Sequence, residues 1–125
     1  MIVGVGNDIF EVSRIQKELR GDGKRIREVI FTPSEIAYCE SKRYPEQHYA
    51  ARFAAKEALL KALAIDGQGG FLWREIEVIT EQSGRPGIHL HGSLKQRAAQ
   101  LSVQKIYVSL SHTRALAAAN VILES

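Results

Sequence analysis

The run A-R-F-A-A-K-E-A-L-L-K-A-L at residues 51–63 constrains the fold more than any other part of the chain. On a helical wheel its alanines form one small-residue face, while Phe53 and Leu60 point in nearly the opposite direction. The small-residue face consists of Ala51, Ala55, Ala58 and Ala62. A helix with two apolar faces has to be covered on both sides. The pattern therefore predicts a long helix buried in the middle of the molecule.

Shorter elements are predicted around this helix. In chain order, the predictions are a strand at 2–10, helical segments within 13–30 that break at Gly21-Asp22-Gly23, a helix from a capping box at 32–35 to about Lys42, the long helix at 45–65 that ends before the glycines of D-G-Q-G-G, a hairpin at 76–80 and 88–91, a helix at 93–101, and strands at 106–111 and 115–123. The last strand is apolar enough to be central. This order predicts an α+β fold in one domain over residues 1–125, with a small antiparallel sheet packed against the long buried helix and shorter helices.

Composition places the chain among ordinary globular proteins. Of its 125 residues, 45% are hydrophobic and 25% are charged, and the single cysteine, Cys39, has no partner for an internal disulfide. The first residues lack the charged and apolar segments of an export signal, and no apolar run is long enough to span a membrane. We therefore expect a cytoplasmic protein that has no membrane partner.

The formal net charge of +3 is concentrated in one stretch of the chain. Residues 14–28 hold six basic and three acidic side chains, which accounts for the whole excess. Such a run is most often a solvated helical face, and it can also be a docking surface for an acidic macromolecule. Aromatic side chains that stack on bases are absent from the stretch, so nucleic acid is not the expected partner.

Four charged side chains interrupt the apolar pattern of the long helix. Arg52 and Lys56 lie on one flank, and Glu57 and Lys61 lie on the other. Glu57 and Lys61 are four residues apart and can form a simple salt bridge, worth roughly 0.2–0.5 kcal/mol when exposed. A helix covered on two sides, however, places these charges in crevices, where a charge usually has a partner. One anionic ligand together with a metal ion would satisfy all four.

A second indication of a ligand lies in the first strand. Gly4, Gly6 and Asp8 share one face of that strand, so two glycines clear space beside a carboxylate. Asn7-Asp8 is equally consistent with a simple turn. Paired with Glu57, Asp8 would offer two hard oxygen ligands that suit Mg²⁺ once substrate phosphates and waters complete the octahedron. The basic neighbours favour a ligand that carries phosphate.

With these residues in view, the sequence resembles the holo-acyl-carrier-protein synthases, the small type of phosphopantetheinyl transferase. The motifs that carry the resemblance are G-x-D-I-x-E-V-x-R-I at 6–15, F-T-x-x-E at 31–35, R-F-A-A-K-E-A-x-x-K-A at 52–62, G-R-P at 84–86 and V-S-L-S-H-T at 108–113. The resemblance implies the 4'-phosphopantetheinyl transferase fold. It also implies Mg²⁺-dependent transfer of phosphopantetheine from coenzyme A to a serine of apo-acyl carrier protein, releasing adenosine 3',5'-bisphosphate and serving fatty acid biosynthesis.

The same resemblance implies roles for individual residues. Asp8 and Glu57 would bind Mg²⁺, and Lys61 would hold the pyrophosphate. Glu57 is our candidate to take the proton of the acceptor serine, directly or through a water. The implied coenzyme A contacts are Arg52, Lys56, Lys61, Gly84, Arg85, Pro86 and His112. Within that set, Arg52 and His112 would help to bind the 3'-phosphate end.

The resemblance also gives the basic stretch a partner, because acyl carrier proteins are small and acidic. Docking would use Arg14, Lys17, Lys24 and Arg25, and it should weaken with salt. A homotrimer with active sites between subunits is implied as well. The alternatives are a noncatalytic module that binds an acyl carrier protein and a basic nucleic-acid-binding module. The noncatalytic module leaves the two carboxylates without a role.

Overall fold

The structure, a computed structural model, describes residues 1–66 and 70–125. Its elements are β1 (Ile2–Glu11), α1 (Val12–Arg20), α2 (Gly23–Ile30), α3 (Pro33–Glu40), α4 (Pro45–Ala62), a 3₁₀ turn (Trp73–Glu75), β2 (Ile76–Thr80), β3 (Pro86–Leu90), α5 (Gly92–Gln100), β4 (Lys105–His112) and β5 (Leu116–Glu124). Strands and helices do not alternate regularly, which confirms the predicted α+β class. The 3₁₀ turn was not among the predicted elements.

The strands form two antiparallel sheets, where the sequence suggested one. The larger sheet has the order β1-β5-β4, so β5 is central, as its apolar sequence predicts. The smaller sheet is the predicted hairpin of β2 and β3. Strand β3 begins two residues earlier than predicted, because Pro86 and Gly87 also pair with β2, opposite Thr80 and Ile79.

Helix α4 lies against the inner face of the larger sheet and contacts both β1 and β5. Gly4 and Gly6 of β1 face the helix backbone closely. A Cβ atom at either position would overlap the carbonyl oxygen of Ala62 or Ala58. The two glycines therefore make room for α4 itself. The interpretation that they clear space for a ligand is corrected, because the helix occupies that space.

Helix α4 ends at Ala62, three residues before its predicted end. Ala64 adopts a left-handed conformation with a φ angle of 57°. The Ile65 N–H donates to the Leu60 carbonyl at 2.9 Å, and the Ala64 N–H donates to the Lys61 carbonyl at 3.0 Å. This is the Schellman pattern, with alanine at the position where glycine is usual. In the D-G-Q-G-G stretch that was predicted to stop the helix, residues 67–69 lie outside the described residues.

The other helix boundaries are close to the predictions. The break at Gly21-Asp22 separates α1 from α2, and α3 begins with the predicted capping box. Thr32 Oγ1 accepts a hydrogen bond from the Glu35 N–H at 3.3 Å, and Glu35 Oε1 accepts one from the Thr32 N–H at 2.8 Å. In the described part of the chain, no helix is long and apolar enough to cross a membrane.

The outer face of the larger sheet, opposite α4, exposes a group of large apolar side chains. They are 37% to 64% exposed and comprise Val3, Val5, Ile9, Tyr107, Leu116 and Ile122. Between them, Asn7 Nδ2 donates a hydrogen bond to Asn120 Oδ1 at 2.8 Å. A patch of this kind is typical of a surface that contacts another protein.

Candidate active site

Strand β1 and helix α4 bring the three predicted catalytic residues together. Lys61 Nζ donates hydrogen bonds to Asp8 Oδ1 at 3.1 Å and to the carbonyl oxygen of Asn7 at 2.9 Å. Glu57 lies one helical turn before Lys61, near enough to Asp8 for the two carboxylates to repel each other. Asp8, Glu57 and Lys61 form the carboxylate cluster.

The charges of the carboxylate cluster favour an added cation. Burial raises the pKa of Glu57, repulsion from Asp8 raises it further, and Lys61 opposes both effects. The ion pair of Lys61 is made with Asp8, so the arrangement differs from a simple salt bridge between Glu57 and Lys61. A carboxylate whose ionised form is disfavoured gains most from a positive charge placed beside it. A cation between Asp8 and Glu57 would supply that charge.

The donor set of the carboxylate cluster fits Mg²⁺. This ion is commonly held by one or two protein carboxylates, while substrate phosphates and waters complete its octahedral shell. Over residues 1–66 and 70–125, no group of three or more His, Cys, Asp or Glu side chains is arranged to hold a metal ion. Asp8 and Glu57 therefore suit a metal ion that arrives with a phosphate ligand better than one caged entirely by protein.

A second group of predicted residues lines a cavity of about 200 Å³ beside α4, which we call the basic cavity. Its lining residues are Tyr38, His48, Ala51, Arg52, Thr80, Gly84, Pro86, Leu110 and His112. Four of the predicted coenzyme A contacts are thus brought together. Arg85 is not part of this lining, because its side chain borders a neighbouring groove together with Glu81 and Lys105.

Arg52 is the most constrained side chain of the basic cavity. It is only 3% exposed, and its guanidinium carbon lies 3.9 Å from the centroid of the Tyr38 ring. Arg52 Nη2 donates to Thr80 Oγ1 at 3.1 Å, whereas the buried Nε atom has no hydrogen-bond partner among the described residues. A buried donor without an acceptor is costly, and an anion in the cavity would balance the charge of the guanidinium.

Two histidines of the basic cavity contact each other. The rings of His48 and His112 meet edge to face, with their centroids 5.1 Å apart. Burial lowers the pKa of His48, and His112, Arg52 and Lys42 lower it further by repulsion. Sequence reasoning missed His48. Its position four residues before Arg52 on the same helix was the signal that could have identified it.

Lys56 does not line the basic cavity, which corrects its predicted contact with coenzyme A. Its side chain is fully buried, and Nζ donates to Glu35 Oε1 at 2.8 Å, to the Ile30 carbonyl at 2.7 Å and to the Trp73 carbonyl at 3.4 Å. Burial lowers the pKa of the Lys56 ammonium, and the Glu35 carboxylate offsets that effect. An ammonium group has three N–H donors, and all three are engaged by protein acceptors.

The carboxylate cluster and the basic cavity lie on opposite flanks of α4. Arg52 and Lys61 are nine residues apart, which corresponds to half a revolution around a helix of 3.6 residues per turn. The sheet repeats this division. Asp8 lies on β1, His112 lies on β4, and the central strand β5 runs between them. The buried helix therefore separates the two groups within one subunit.

The predicted docking residues are exposed on the first two helices. Arg14 and Lys17 belong to α1, and Lys24 and Arg25 belong to α2. Lys17 and Arg25 border a groove whose other lining residues are Glu18, Gly21, Asp22, Ile26, Val29, Ile30 and Trp73. Basic side chains thus lie beside an apolar surface.

This basic surface is connected to the carboxylate cluster by aromatic side chains. The guanidinium carbon of Arg14 lies 4.9 Å from the centroid of the Phe10 ring, and that ring lies 4.8 Å from the ring of Phe53. Phe10 is two residues after Asp8 on β1, and Phe53 is one turn before Glu57 on α4. A partner bound at α1 would therefore be adjacent to the two carboxylates.

Comparisons with known proteins agree with this arrangement. Residues 4–119 match the 4'-phosphopantetheinyl transferase superfamily. The chain is 43% identical to the holo-acyl-carrier-protein synthase of Geobacter sulfurreducens, over 99% of this chain and 98% of that protein. Among solved structures, the holo-acyl-carrier-protein synthase of Neisseria meningitidis matches with a TM-score of 0.90 and 28% identity over the whole of both chains. That of Helicobacter pylori in complex with coenzyme A matches with a TM-score of 0.84 and 28% identity, over 96% of this chain and 99% of that one.

A match over most of the chain, together with relatives of this identity, establishes the family. The chain belongs to the 4'-phosphopantetheinyl transferase superfamily and, within it, to the holo-acyl-carrier-protein synthases. The predicted fold and enzyme class are thereby confirmed.

Proposed function

We propose that this protein transfers the 4'-phosphopantetheine group of coenzyme A to a serine of an apo-acyl carrier protein, releasing adenosine 3',5'-bisphosphate, in cytoplasmic fatty acid biosynthesis. The observation that carries the proposal is the presence of a cluster that favours a cation and a cavity that favours an anion on the two flanks of one helix. Coenzyme A suits both, because its pyrophosphate binds magnesium and its 3'-phosphate is an anion. A similar solved structure contains coenzyme A.

The chain's own residues account for the proton and the charge in this reaction. The serine oxygen attacks the phosphorus that bears the pantetheine arm, the pyrophosphate bond at that phosphorus breaks, and the bridging oxygen leaves with the adenosine bisphosphate. Glu57 takes the serine proton, directly or through a water. Lys61, held beside Asp8, stabilises the negative charge of the pyrophosphate.

Asp8 and Glu57 would hold the magnesium ion, which would offset the negative charge that builds on the leaving group. Because a carboxylate has two oxygens, one oxygen of Glu57 can bind the cation while the other accepts the proton. The hydrogen bond from Lys61 keeps Asp8 oriented toward α4.

The basic cavity would bind the 3'-phosphate end of coenzyme A. Arg52 lines the cavity with its guanidinium, and charge-assisted bonds from a guanidinium to a phosphate are among the strongest in proteins. His48 and His112 add ring nitrogens, while Gly84 and Pro86 form a wall against which the adenosine can lie. A contact between Arg85 and the adenosine stays a prediction.

We also propose that the active site is shared between subunits of a homotrimer. A coenzyme A molecule would have to pass across the buried helix to reach the carboxylate cluster and the basic cavity of one subunit. A neighbouring subunit can bring its basic cavity to the first subunit's carboxylate cluster instead. The exposed apolar residues on the outer face of the larger sheet supply a surface for such assembly.

The shared site can be tested by mixing two variants at a coenzyme A concentration so low that Arg52→Ala alone turns over too little substrate to detect. Asp8→Ala and Arg52→Ala subunits, co-expressed in equal amounts, would form some interfaces that contain an intact cluster and an intact cavity. Random assembly gives about one quarter of wild-type activity. Activity no higher than that of either variant alone, in mixed oligomers whose composition is confirmed by mass spectrometry, would contradict a shared site.

The acyl carrier protein would dock on α1 and α2. Arg14, Lys17, Lys24 and Arg25 provide the positive charge that complements an acidic protein, and the groove beside Trp73 provides an apolar surface. The aromatic contact from Arg14 through Phe10 to Phe53 extends this surface to Glu57. The acceptor serine would reach the carboxylate cluster from that side.

The reaction itself is tested by measuring the intact mass of an apo-acyl carrier protein. The carrier is incubated with this protein, coenzyme A and Mg²⁺, and a parallel sample contains a chelator. We expect the mass to rise by one phosphopantetheine, and we expect the rise to disappear with the chelator. Binding of the carrier with no mass change would favour the noncatalytic module.

A further inference from the structure

The buried pair of Lys56 and Glu35 joins α4 to four other segments. Lys56 bonds to the last residue of α2, to the first turn of α3 through Glu35, and to the 3₁₀ turn through the Trp73 carbonyl. Glu35 Oε2 accepts from the Val78 N–H of β2 at 2.8 Å, while Oε1 also accepts from the Thr32 N–H. Both side chains are 0% exposed.

Stability alone is a poor explanation for this pair. Removing two charges from water costs several kcal/mol per ion, and apolar side chains of similar volume often replace such pairs at no loss. Buried polar groups have a clearer effect on position, because their hydrogen bonds are satisfied in one geometry only.

On the opposite side of α4, the contact with β1 is made by small residues. There the helix presents Ala58 and Ala62 to Gly4 and Gly6 of β1. Helices are held in register by side-chain ridges that fit into grooves, and alanine and glycine provide almost no relief. This contact secures close approach, and the orientation of α4 is left to its larger buried side chains, such as Leu59 and Leu60, and to the Lys56–Glu35 pair.

Glu57 is the residue directly after Lys56, so it moves with any rotation of the helix. A side chain at about 6 Å from the axis moves by about 1 Å when the helix turns by about 10°. Ligand distances in a metal site are held to roughly 0.2 Å. A rotation too small to disturb the apolar core would thus be large enough to spoil a site formed by Glu57 and Asp8.

We propose that Lys56 and Glu35 are positioning residues, whose buried pair fixes the rotation and axial position of α4 so that Glu57 meets Asp8 in metal-binding geometry. The inference rests on the proposed function of the carboxylate cluster and assigns a role to two residues outside it. Through the Ile30 carbonyl, the same pair connects Glu57 to the helix that carries two of the docking residues.

The test replaces both charges with side chains of similar volume, in the double variant Lys56→Met with Glu35→Gln. Mn²⁺ binding in the presence of coenzyme A is measured by electron paramagnetic resonance, and kcat is measured by intact mass. We expect Mn²⁺ affinity and kcat each to fall by roughly 10- to 100-fold, the effect of removing outer groups that orient metal ligands. The folded state is confirmed by circular dichroism.

The matched control is Tyr49→Phe, which removes a different polar link of the same helix. The Tyr49 hydroxyl donates to Glu40 Oε2 at 3.1 Å and accepts from Arg27 Nε at 3.3 Å, and so also joins α4 to α3 and α2. We expect this variant to keep wild-type Mn²⁺ affinity and kcat, even if its melting temperature falls. Equal losses in the control would contradict a positioning role for the pair.

Two further results separate the possible outcomes. A folded double variant with wild-type Mn²⁺ affinity and kcat would overturn the inference. If the double variant does not fold, Glu35→Asp is used instead, because it keeps both charges and shortens the side chain by one methylene. Wild-type Mn²⁺ affinity and kcat in Glu35→Asp would also overturn the inference. Failure of the wild-type protein to bind Mn²⁺ or to transfer the group would instead contradict the proposed function.

Discussion

Each flank of α4 brings side chains of like charge close together, carboxylates on one flank and basic groups on the other. On the β1 side, burial and Asp8 raise the pKa of Glu57. On the β4 side, burial lowers the pKa of His48, and repulsion from His112 and Arg52 adds to the effect. Both shifts mean that the charged form is disfavoured until a ligand of opposite charge arrives. One flank therefore favours a cation, and the other favours an anion.

The flanks differ in how deeply their cationic side chains are buried. The Lys61 side chain is 55% exposed and bonds to Asp8 and to the Asn7 carbonyl. Arg52 is 3% exposed and stacked on Tyr38, so it is organised before any ligand binds. In the proposed function, one helix would separate chemistry from anchoring, with an exposed cation where bonds change and a buried, preorganised one where substrate is held.

The largest expected effect follows from removing a carboxylate. Asp8→Ala and Glu57→Ala should each lower kcat by on the order of 10³-fold or more, because each removes one of the two carboxylates proposed to hold the metal. Glu11→Ala, at the exposed end of the same strand, is the control and should retain activity. Intact-mass time courses give the rates, and thermal melts check folding. Near-normal turnover in either carboxylate variant would remove the basis for the metal site.

A smaller effect is expected on the anchoring flank. Arg52→Ala should weaken coenzyme A binding by roughly 10- to 100-fold, the cost of losing charge-assisted bonds to a phosphate. Dephospho-coenzyme A, which lacks the 3'-phosphate, should bind the variant and the wild type almost equally. Calorimetry measures both, with the exposed Arg74→Ala as the control. An equal loss for the two ligands would place the 3'-phosphate elsewhere.

A moderate and salt-dependent effect is expected outside both flanks. Arg14→Glu should lower kcat/KM for the carrier protein by about tenfold at low salt, because steering by exposed charge is screened as salt increases. Coenzyme A binding should stay unchanged. Arg97→Glu on α5 makes the same charge change away from the docking helices and should have little effect. Matching losses in the two variants would indicate a general charge effect instead of a docking surface.

The smallest effect concerns pH and stability. Because the folded-state pKa of His48 lies below its ordinary value of 6.5, the unfolded chain takes up a proton more readily. Folding stability should therefore fall as pH drops through that value, and the partial exposure of the ring keeps the change small. His48→Gln should flatten the change in melting temperature between about pH 7.5 and pH 5.5. His89→Gln, at an exposed position, should not, and a similar flattening there would refute the assignment.

Much of the fold could be predicted because its signals are local. The capping box at Thr32, the two-sided apolar pattern of α4 and the apolar run of β5 each depend on neighbouring residues alone. The predicted end of α4 was three residues too late, because the local sequence carries no signal for the true end. Ala64 adopts the left-handed conformation that glycine normally adopts at a helix end, and an alanine in the sequence does not predict that conformation.

The candidate site was predicted in part. The spacing of Asp8, Glu57 and Lys61 in motifs identified the carboxylate cluster, because residue type and helical phase carry that information. Lys56 was assigned to the ligand because it has the charge of a phosphate-binding residue and lies on the flank of Arg52. Only its burial against Glu35, a residue 21 positions away, changes that assignment.

By itself, the sequence determined the element types, the helix that had to be buried, and the residue types able to bind a metal and a phosphate, since these follow from local patterns of polarity and charge. Tertiary structure alone decided that the glycines of β1 accommodate α4, that Lys56 is enclosed, and that His48 joins Arg52 in a cavity. The reason is physical. Burial and long-range pairing determine whether a charge faces a ligand or another residue, and neither is a property of the residue itself.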